Sequence, residues 1–159
     1  MSVVVSITGH RNVTVEDTRT IRLAMTTLLA NESVRAICFG GARGTDTEAL
    51  KAALELRGQD RTPKLVVIVP NRVSDQPAQA RVWIAKADQV IELGNPITVS
   101  DGFKSYDIRN RYLVEAARRA DGFVVAFWNK KPSGTKNCID YAGTVGVPVE
   151  EVYIDGDAS

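Results

Sequence analysis

Short apolar runs alternate with longer amphipathic segments along most of the chain. The runs are rich in β-branched residues, as in Val3-Val4-Val5-Ser6-Ile7-Thr8 and Leu65-Val66-Val67-Ile68-Val69. Continuous apolar strands of this kind are typical of a parallel sheet buried on both faces, and apolar residues three and four apart between them indicate helices. The pattern predicts strands at residues 3–8, 34–39, 65–69, 90–93, 122–127 and 149–154, and helices at about 15–30, 46–57, 77–86, 107–119 and 136–144.

Strands that alternate with helices predict βαβ units. We therefore expect an α/β fold: a Rossmann-like, doubly wound, mainly parallel sheet with helices on both faces. A chain of 159 residues fits one domain. We assign residues 1–154 to that domain and Asp155 to Ser159 to a disordered tail. The stretch from Thr98 to Tyr106, punctuated by Gly102, is predicted to be an irregular loop.

Composition and charge narrow the function. The 20 basic and 19 acidic residues give a net charge of +1, which argues against general attraction to nucleic acid, so anion binding must come from locally placed charge. Cys38, Cys138 and His10 have no metal-ligand spacing, so we predict no metal site and no cofactor, with Cys38 a buried thiol. No apolar run reaches transmembrane length and no signal pattern opens the chain, so no membrane association is predicted and a cytoplasmic protein is expected.

Three glycine-containing loops with basic residues follow predicted strands. They are Gly9-His10-Arg11, Gly40-Gly41-Ala42-Arg43-Gly44, and residues 129–136 with Ser133-Gly134-Thr135. Ligands bind beyond the carboxyl ends of the strands in open parallel sheets. Glycine lets backbone N–H groups approach an anion, and the following helix end adds a positive dipole. We therefore predict that the three loops converge on one phosphate-binding edge.

The loop at residues 40–44 is the most specific of these three motifs. It matches neither the Walker A motif nor the G-x-G-x-x-G motif, so it does not identify the nucleotide class that either motif indicates. Thr45 and Glu48 have the spacing of a helix capping box, with Thr45 as N-cap. A plain glycine turn between strand and helix would explain Gly44 and Thr45 but not Arg43. Asp46 and Glu48 would repel a phosphate placed against that helix end.

Arg109-Asn110-Arg111 opens a later helix. Residues two apart on a helix point to different faces, so we expect one arginine to bind an anion while the other pairs with Asp107 or Glu115. His10 is interpreted as a ligand contact rather than a catalytic group, because a lone histidine is more often a hydrogen-bonded structural residue. Trp83 and Trp128 are expected to pack in the core or at its rim, with base stacking left open for Trp128.

At these same motifs the sequence resembles the DprA/LOG superfamily of Rossmann-like proteins. Gly41-Ala42-Arg43-Gly44-Thr45-Asp46 is similar to a glycine-alanine-arginine-glycine-isoleucine-aspartate stretch of DprA, and Arg109-Asn110-Arg111 and Ser133-Gly134-Thr135 match later DprA elements in order. Thr8-Gly9-His10-Arg11 is closer to the short YpsA-like branch. The resemblance implies a pocket for nucleotide-derived ligands, or for single-stranded DNA as in DprA itself.

The resemblance also bears on whether the chain has the catalytic acid of the LOG branch. The LOG branch hydrolyses nucleoside monophosphates with a glutamate shortly after its last glycine element, where this chain has Asn137 and Cys138, with Asp140 the nearest carboxylate. Without that acid, N-glycoside cleavage is doubtful. Asp140 and Glu48 are the only catalytic candidates that we name.

Three functional hypotheses follow. The leading one is a module that binds a nucleotide-derived small molecule; the others are a DprA-like single-stranded DNA binder and a LOG-like nucleotide N-glycosidase. A homodimer is expected, with Tyr112, Leu113 and the segment 77–84 as an apolar face. The predicted binding residues are Gly9, His10, Arg11, Gly40, Gly41, Ala42, Arg43, Gly44, Thr45, Asp46, Arg109, Asn110, Arg111, Ser133, Gly134 and Thr135.

Overall fold

The fold is built on a six-stranded sheet in which every neighbouring pair of strands is parallel. The computed structural model describes residues 2–96, 98–100 and 103–156. Its strands are β1 Val3–Gly9, β2 Val34–Phe39, β3 Lys64–Val69, β4 Gln89–Glu92, β5 Thr98–Ser100, β6 Phe103–Lys104, β7 Phe123–Trp128 and β8 Val149–Tyr153. The main sheet has the order β4-β3-β2-β1-β7-β8, so the predicted Rossmann-like, doubly wound fold is confirmed.

Five α-helices cover the two faces of this sheet in the described part of the chain. They are α1 Val15–Leu29, α2 Thr45–Leu56, α3 Ala78–Ile84, α4 Ser105–Arg119 and α5 Gly134–Val145. The first three pack over one face, where Ile7 and Phe39 are fully buried against Ile21. The last two cover the other face, where Leu113 packs on Val4. Burial on both sides explains why the central strands are apolar at consecutive positions.

The segment from Thr98 to Tyr106 differs from the predicted loop. Thr98–Ser100 and Phe103–Lys104 form a short antiparallel pair, and α4 begins at Ser105. Gly102, which the sequence marks as a break, lies outside the described residues. The reason for the early start of α4 is local: the Asp107 carboxylate accepts a hydrogen bond from the Lys104 N–H at 2.9 Å and caps the first turn.

Asp155 and Gly156, which open the predicted tail, contact α1. The backbone N–H groups of Asp155 and Gly156 each donate to the Asp17 carboxylate at 2.9 Å. A carboxylate on α1 thus holds the first two residues that were assigned to a disordered tail, and the tail itself stays a prediction. Residues 157–159 lie outside the described part of the chain.

The apolar face proposed for a homodimer is smaller than the sequence suggests. Leu113 is 1% exposed and Ile84 is 1% exposed, because both pack against the sheet. Tyr112 and Val82 remain at the surface. Self-association stays a prediction that rests on these two exposed side chains. No helix in the described ranges is both long and apolar enough to span a membrane.

Candidate ligand-binding site at the switch point of the sheet

The strand order reverses at β1, which pairs with β2 on one side and β7 on the other. Chain connections leave such a pair of strands in opposite directions, which opens a crevice beyond their carboxyl ends. A cavity of about 260 Å³ lies at this point. We call it the switch-point cavity. Its position follows from topology, so it is the first place to look for a ligand.

The switch-point cavity is lined by parts of four chain segments. Residues 8–11 come from the end of β1, and Ala42 and Asp46 come from the loop and helix after β2. Residues 133–135 come from the start of α5, and α4 supplies side chains at positions 106, 109, 110 and 113. The predicted convergence of three glycine loops at one edge is thus seen in the geometry. Ligand binding by these residues stays a prediction.

Thr45 ties the second loop to the first. Its backbone N–H and its hydroxyl both donate to the His10 carbonyl oxygen, at 3.0 and 2.9 Å. The predicted capping box is wrong, because Gly44 is the N-cap of α2 and no side chain caps it. Gly44 has φ = 75°, and a Cβ there would collide with the Arg11 carbonyl oxygen. Glycine is required so that the two loops can approach this closely.

His10 ties the first loop to the loop after β7. Its Nε2 lies 2.9 Å from Asn129 N and 2.9 Å from Asn129 Oδ1. The ring therefore joins β1 to β7 at the cavity edge. This geometry makes His10 a hydrogen-bonded structural residue that also lines the cavity.

The N-terminus of α5 forms one wall of the switch-point cavity. The Ser133 hydroxyl accepts a hydrogen bond from the Lys136 N–H at 3.4 Å, as an N-cap does. The first N–H groups of a helix have no intrahelical acceptor, and Gly134 and Thr135, which carry two of them, line the cavity. Asn110 Nδ2 holds this turn in place by donating to the Gly134 carbonyl oxygen at 3.3 Å. A helix start arranged this way attracts anions.

Arg109 and Asp46 form a buried, oppositely charged pair at the floor of the cavity. Each residue is 6% exposed. The Arg109 guanidinium donates to the Gly40 carbonyl oxygen and, at 2.9 Å, to Asn110 Oδ1. Asp46 Oδ2 accepts from the Ala42 N–H at 3.2 Å. Burial raises the pKa of Asp46, while Arg109 and the N–H groups of Ala42 and Gly40 oppose the rise.

Arg11 stands at the mouth of the cavity. Its side chain is exposed, and its guanidinium lies over the Tyr106 ring at 4.9 Å from the centroid. A cation placed on an aromatic face is partly ordered but keeps its N–H donors available. Arg11 is therefore the accessible positive charge of the site, whereas Arg109 already donates to the Gly40 carbonyl oxygen and to Asn110.

Several predicted residues lie outside the switch-point cavity. Arg43 donates to Asn12 Oδ1 at 3.1 Å at the surface. Arg111 lies over the Tyr141 ring on the outer side of α4, so the two arginines face different ways as their spacing requires. Gly40 and Gly41 contact the protein interior. The Gly40 carbonyl oxygen accepts a hydrogen bond from Arg109, and Gly41 faces Val69.

Neither catalytic candidate lines the switch-point cavity. Asp140 pairs with Lys136 at 2.7 Å and lies in a depression on the outer side of α4 and α5. Glu48 faces a separate surface depression beside Arg43. Asp46 is the one carboxylate among the described residues that line the cavity.

Thr8, Tyr106 and Leu113 line the cavity but were not predicted. Tyr106, Arg109, Asn110 and Leu113 follow the i, i+3, i+4, i+7 spacing of one helix face. Because Arg109 had already been singled out, that spacing would have identified Tyr106 and Leu113. Thr8 belongs to the Thr8-Gly9-His10-Arg11 motif, and its place at the carboxyl end of β1 is the signal that would have identified it.

A basic and aromatic surface adjoins the cavity on the Arg11 side. Arg11, Arg43, Lys51 and Trp83 line one shallow depression there. The ammonium groups of Lys51 and Lys86 lie over the Trp83 ring, 5.4 and 4.6 Å from its centroid.

Trp83 is partly buried at the core rim, while Trp128 is buried with its Nε1 donating to Glu151 at 2.8 Å. Rim packing is therefore confirmed for Trp83, and Trp128 offers no stacking face.

Comparison with solved structures gives relatives of the fold. DNA processing protein A from Helicobacter pylori, in a structure describing its single-stranded DNA binding mode, superposes with a TM-score of 0.70 at 21% identity. The match covers 94% of this chain and 64% of that chain. The molybdenum cofactor binding protein from Rippkaea orientalis has a TM-score of 0.65 at 19% identity, covering 98% of this chain and 78% of that chain.

Two further similarities are more distant. DprA from Streptococcus pneumoniae and the Moco carrier protein from Chlamydomonas rheinhardtii each have a TM-score of 0.56 at 15% identity. The first match covers 93% of this chain and 58% of that chain, and the second covers 96% and 76%. No protein-family model and no curated protein matches the sequence. These likenesses define the class by fold: a Rossmann-like domain of the kind seen in DprA and in molybdenum cofactor carrier proteins.

Proposed function

We propose that the chain binds a phosphate-bearing small molecule, a nucleotide or a nucleotide derivative, in the switch-point cavity. The observation that carries the proposal is the meeting of Arg11 with the first turn of α5 at one cavity of about 260 Å³. Backbone N–H groups at a helix start and an exposed guanidinium are complementary to phosphate oxygens. The fold relatives are consistent with a ligand-binding role, since one is described as binding single-stranded DNA and another as binding the molybdenum cofactor.

The electrostatics of the cavity favour an anion of modest charge. Its charged lining residues among those described are Arg11, Arg109 and Asp46. Arg109 and Asp46 offset each other, so Arg11 and the dipole of α5 supply the net positive potential. A single phosphate group placed between these two features needs no further cation.

The size of the cavity favours a ligand with a compact phosphorylated part. Its volume of about 260 Å³ lies just below the range of typical small-molecule sites, about 300–1,000 Å³. A second depression of about 290 Å³ shares Arg11, Ala42, Tyr106 and Arg109 with it. A nucleotide fits this division, with its sugar phosphate inside and its base beside Tyr106.

The direct test is calorimetric titration with ribonucleoside 5′-monophosphates. Arg11→Ala is expected to weaken the best ligand about tenfold or more, because a charge-assisted contact to phosphate is lost. Arg119→Ala is the matched control, since this exposed arginine of α4 lines neither the cavity nor the second depression; it should leave the affinity within about threefold. Equal losses in the two variants would move the phosphate site to the outer surface.

A second candidate function is binding of single-stranded DNA. The basic and aromatic surface made by Arg11, Arg43, Lys51 and Trp83 is the observation that favours it. Such surfaces hold a nucleic-acid strand through phosphate contacts and base stacking. The net charge of +1 limits the number of contacts, so affinity would depend on this one patch.

Salt dependence separates the two functions. Three phosphate contacts from Arg11, Arg43 and Lys51 predict a slope of about −2 in a plot of log K against log salt for an oligothymidylate. Trp83→Ala and Lys51→Ala should weaken oligonucleotide binding and leave mononucleotide binding unchanged. Arg119→Ala, an exposed arginine on the opposite helix layer, serves as the control. No retardation of the oligonucleotide in low salt would reject this candidate.

A further inference from the structure

One oxygen of the Asp46 carboxylate is buried without a hydrogen-bond partner. Its Oδ2 accepts from the Ala42 N–H, but its Oδ1 has no partner and essentially no exposure to solvent. Among the buried side-chain oxygens of the described residues, Asp107 Oδ1 is the other such atom. A buried acceptor without a donor is costly and rare, so its retention at a cavity needs an explanation.

The protein itself does not satisfy this oxygen. The Arg109 guanidinium is directed to the Gly40 carbonyl oxygen and to Asn110. Arg11 acts on Asp46 only as a distant charge, and lies over Tyr106 instead. Asp46 lines the switch-point cavity, so a ligand bound there can supply the missing donor.

The same carboxylate restricts where a phosphate can lie. Where the Asp46 carboxylate is ionised, a phosphate oxygen next to it would face a like charge and lack a proton to share, which is unfavourable in a site of low dielectric. The phosphate then occupies the side of Arg11 and the α5 N-terminus. The group that reaches Asp46 has to be a neutral hydrogen-bond donor on the same ligand.

We propose that Asp46 is a specificity-determining residue that accepts a hydrogen bond from a sugar hydroxyl of the ligand, so that the site selects a phosphorylated sugar over a bare phosphate. This inference rests on the proposed function, because it assumes a phosphate at Arg11 and α5. A site built to bond a hydroxyl discriminates strongly against ligands that lack it, because the buried acceptor is then left unpaired. The ligand class is a sugar phosphate, alone or as part of a nucleotide.

The experiment compares ribose 5-phosphate with methyl phosphate, which carries the phosphate and no hydroxyl. Calorimetric titration of the unmodified protein should give an affinity for ribose 5-phosphate about tenfold or more above that for methyl phosphate. Asp46→Asn should reduce the affinity for ribose 5-phosphate by a similar factor. It should leave methyl phosphate unchanged or bind it more tightly, since a negative charge has been removed from the cavity.

Results that overturn the role of Asp46 differ from results that reject the proposed function. Equal affinities of the unmodified protein for the two probes would overturn the inference, and this arm needs no variant to fold. An equal change of both affinities in Asp46→Asn would also overturn it, because a general electrostatic effect would suffice. A preference that disappears in EDTA would assign Asp46 to a metal ion instead. Failure of both probes to bind at all would count against the proposed function rather than against the role of Asp46 alone.

Discussion

Arg109 and Asp46, which lie 63 positions apart in sequence, meet over the backbone of Gly40. The guanidinium donates to the Gly40 carbonyl oxygen, and the carboxylate accepts from the N–H of Ala42 two residues on. A Cβ at Gly40 would lie 2.7 Å from Arg109 Nη1 and 2.7 Å from Asp46 Oδ2. The pair therefore fixes the loop after β2 against α4 and shapes the floor of the switch-point cavity.

Removing the guanidinium should be strongly destabilising. Arg109→Met keeps most of the side-chain volume but leaves Asp46 as an uncompensated buried charge, so we expect a loss of about 3–5 kcal/mol in the free energy of unfolding. Arg111→Met on the exposed face of the same helix is the control and should cost less than about 1 kcal/mol. Urea denaturation of both variants measures this. A loss below about 1 kcal/mol for Arg109→Met would show that the pair is not structural.

Gly44→Ala should be destabilising by about 2 kcal/mol or more, because φ is 75° and the new Cβ collides with the backbone of Arg11. Gly143→Ala is a matched control in α5. It has open space around the new Cβ and an ordinary helical φ, so the change should stabilise the protein by up to about 1 kcal/mol. Thermal or urea unfolding should therefore move in opposite directions for the two variants.

Asp17 predicts a pH dependence of stability. Burial works against its ionisation, but the N–H groups of Thr14, Asp155 and Gly156 outweigh burial and lower its pKa below 3.8. A carboxyl whose folded pKa is depressed contributes stability above its unfolded pKa, and that contribution is lost as the pH falls through the folded value. Asp17→Asn should thus cost about 1–3 kcal/mol at pH 7, and the difference from the unmodified protein should shrink between pH 4 and pH 2.

The control for that prediction is Glu16→Gln. Glu16 lies on the same turn, and its exposed pair with Arg19 at 3.3 Å contributes little. Its substitution should change stability by less than about 0.5 kcal/mol at either pH. A constant cost of Asp17→Asn down to pH 2 would show that shape, rather than charge, is what matters at this position.

The two cysteines should be unreactive in the folded protein. Cys38 and Cys138 are buried free thiols, and burial raises the pKa of each to about 11. At pH 8 a disulfide reagent should modify neither thiol on the timescale of minutes and both after denaturation. Rapid modification of Cys138 without denaturant would mean that α5 opens easily, since its thiol lies beneath that helix.

Much of the fold could be predicted from the sequence. The strands β1 and β3 are long runs rich in β-branched residues, and β2 is apolar at five of its six positions. Such runs favour burial on both faces, and the helices between them show clear periodicity. The antiparallel pair of β5 and β6 could not be predicted, because two strands of this length carry too few residues for a pattern. The contact of Asp155 with α1 could not be predicted either, since the carboxylate that holds it lies 138 positions away in sequence.

The location of the site could be predicted, but the direction of its side chains could not. Arg11 and Arg43 are both arginines in glycine loops at the same edge of the sheet. Only tertiary contacts separate them, because Arg11 lies on Tyr106 beside the cavity while Arg43 bonds Asn12 at the surface. Thr45 likewise matches a helix cap in sequence, whereas its hydroxyl bonds the neighbouring loop.

The central claim is that a phosphate binds between Arg11 and the N-terminus of α5, and amide NMR titration tests it most directly. Inorganic pyrophosphate and each of the four ribonucleoside 5′-monophosphates should shift the amide resonances of Gly134, Thr135 and Arg11 in a saturable way. The amides around Asp140, on the outer side of α5, should stay unchanged. Saturable shifts confined to that outer surface, or no shift at Gly134 and Thr135 with any of these probes at millimolar concentration, would contradict the claim.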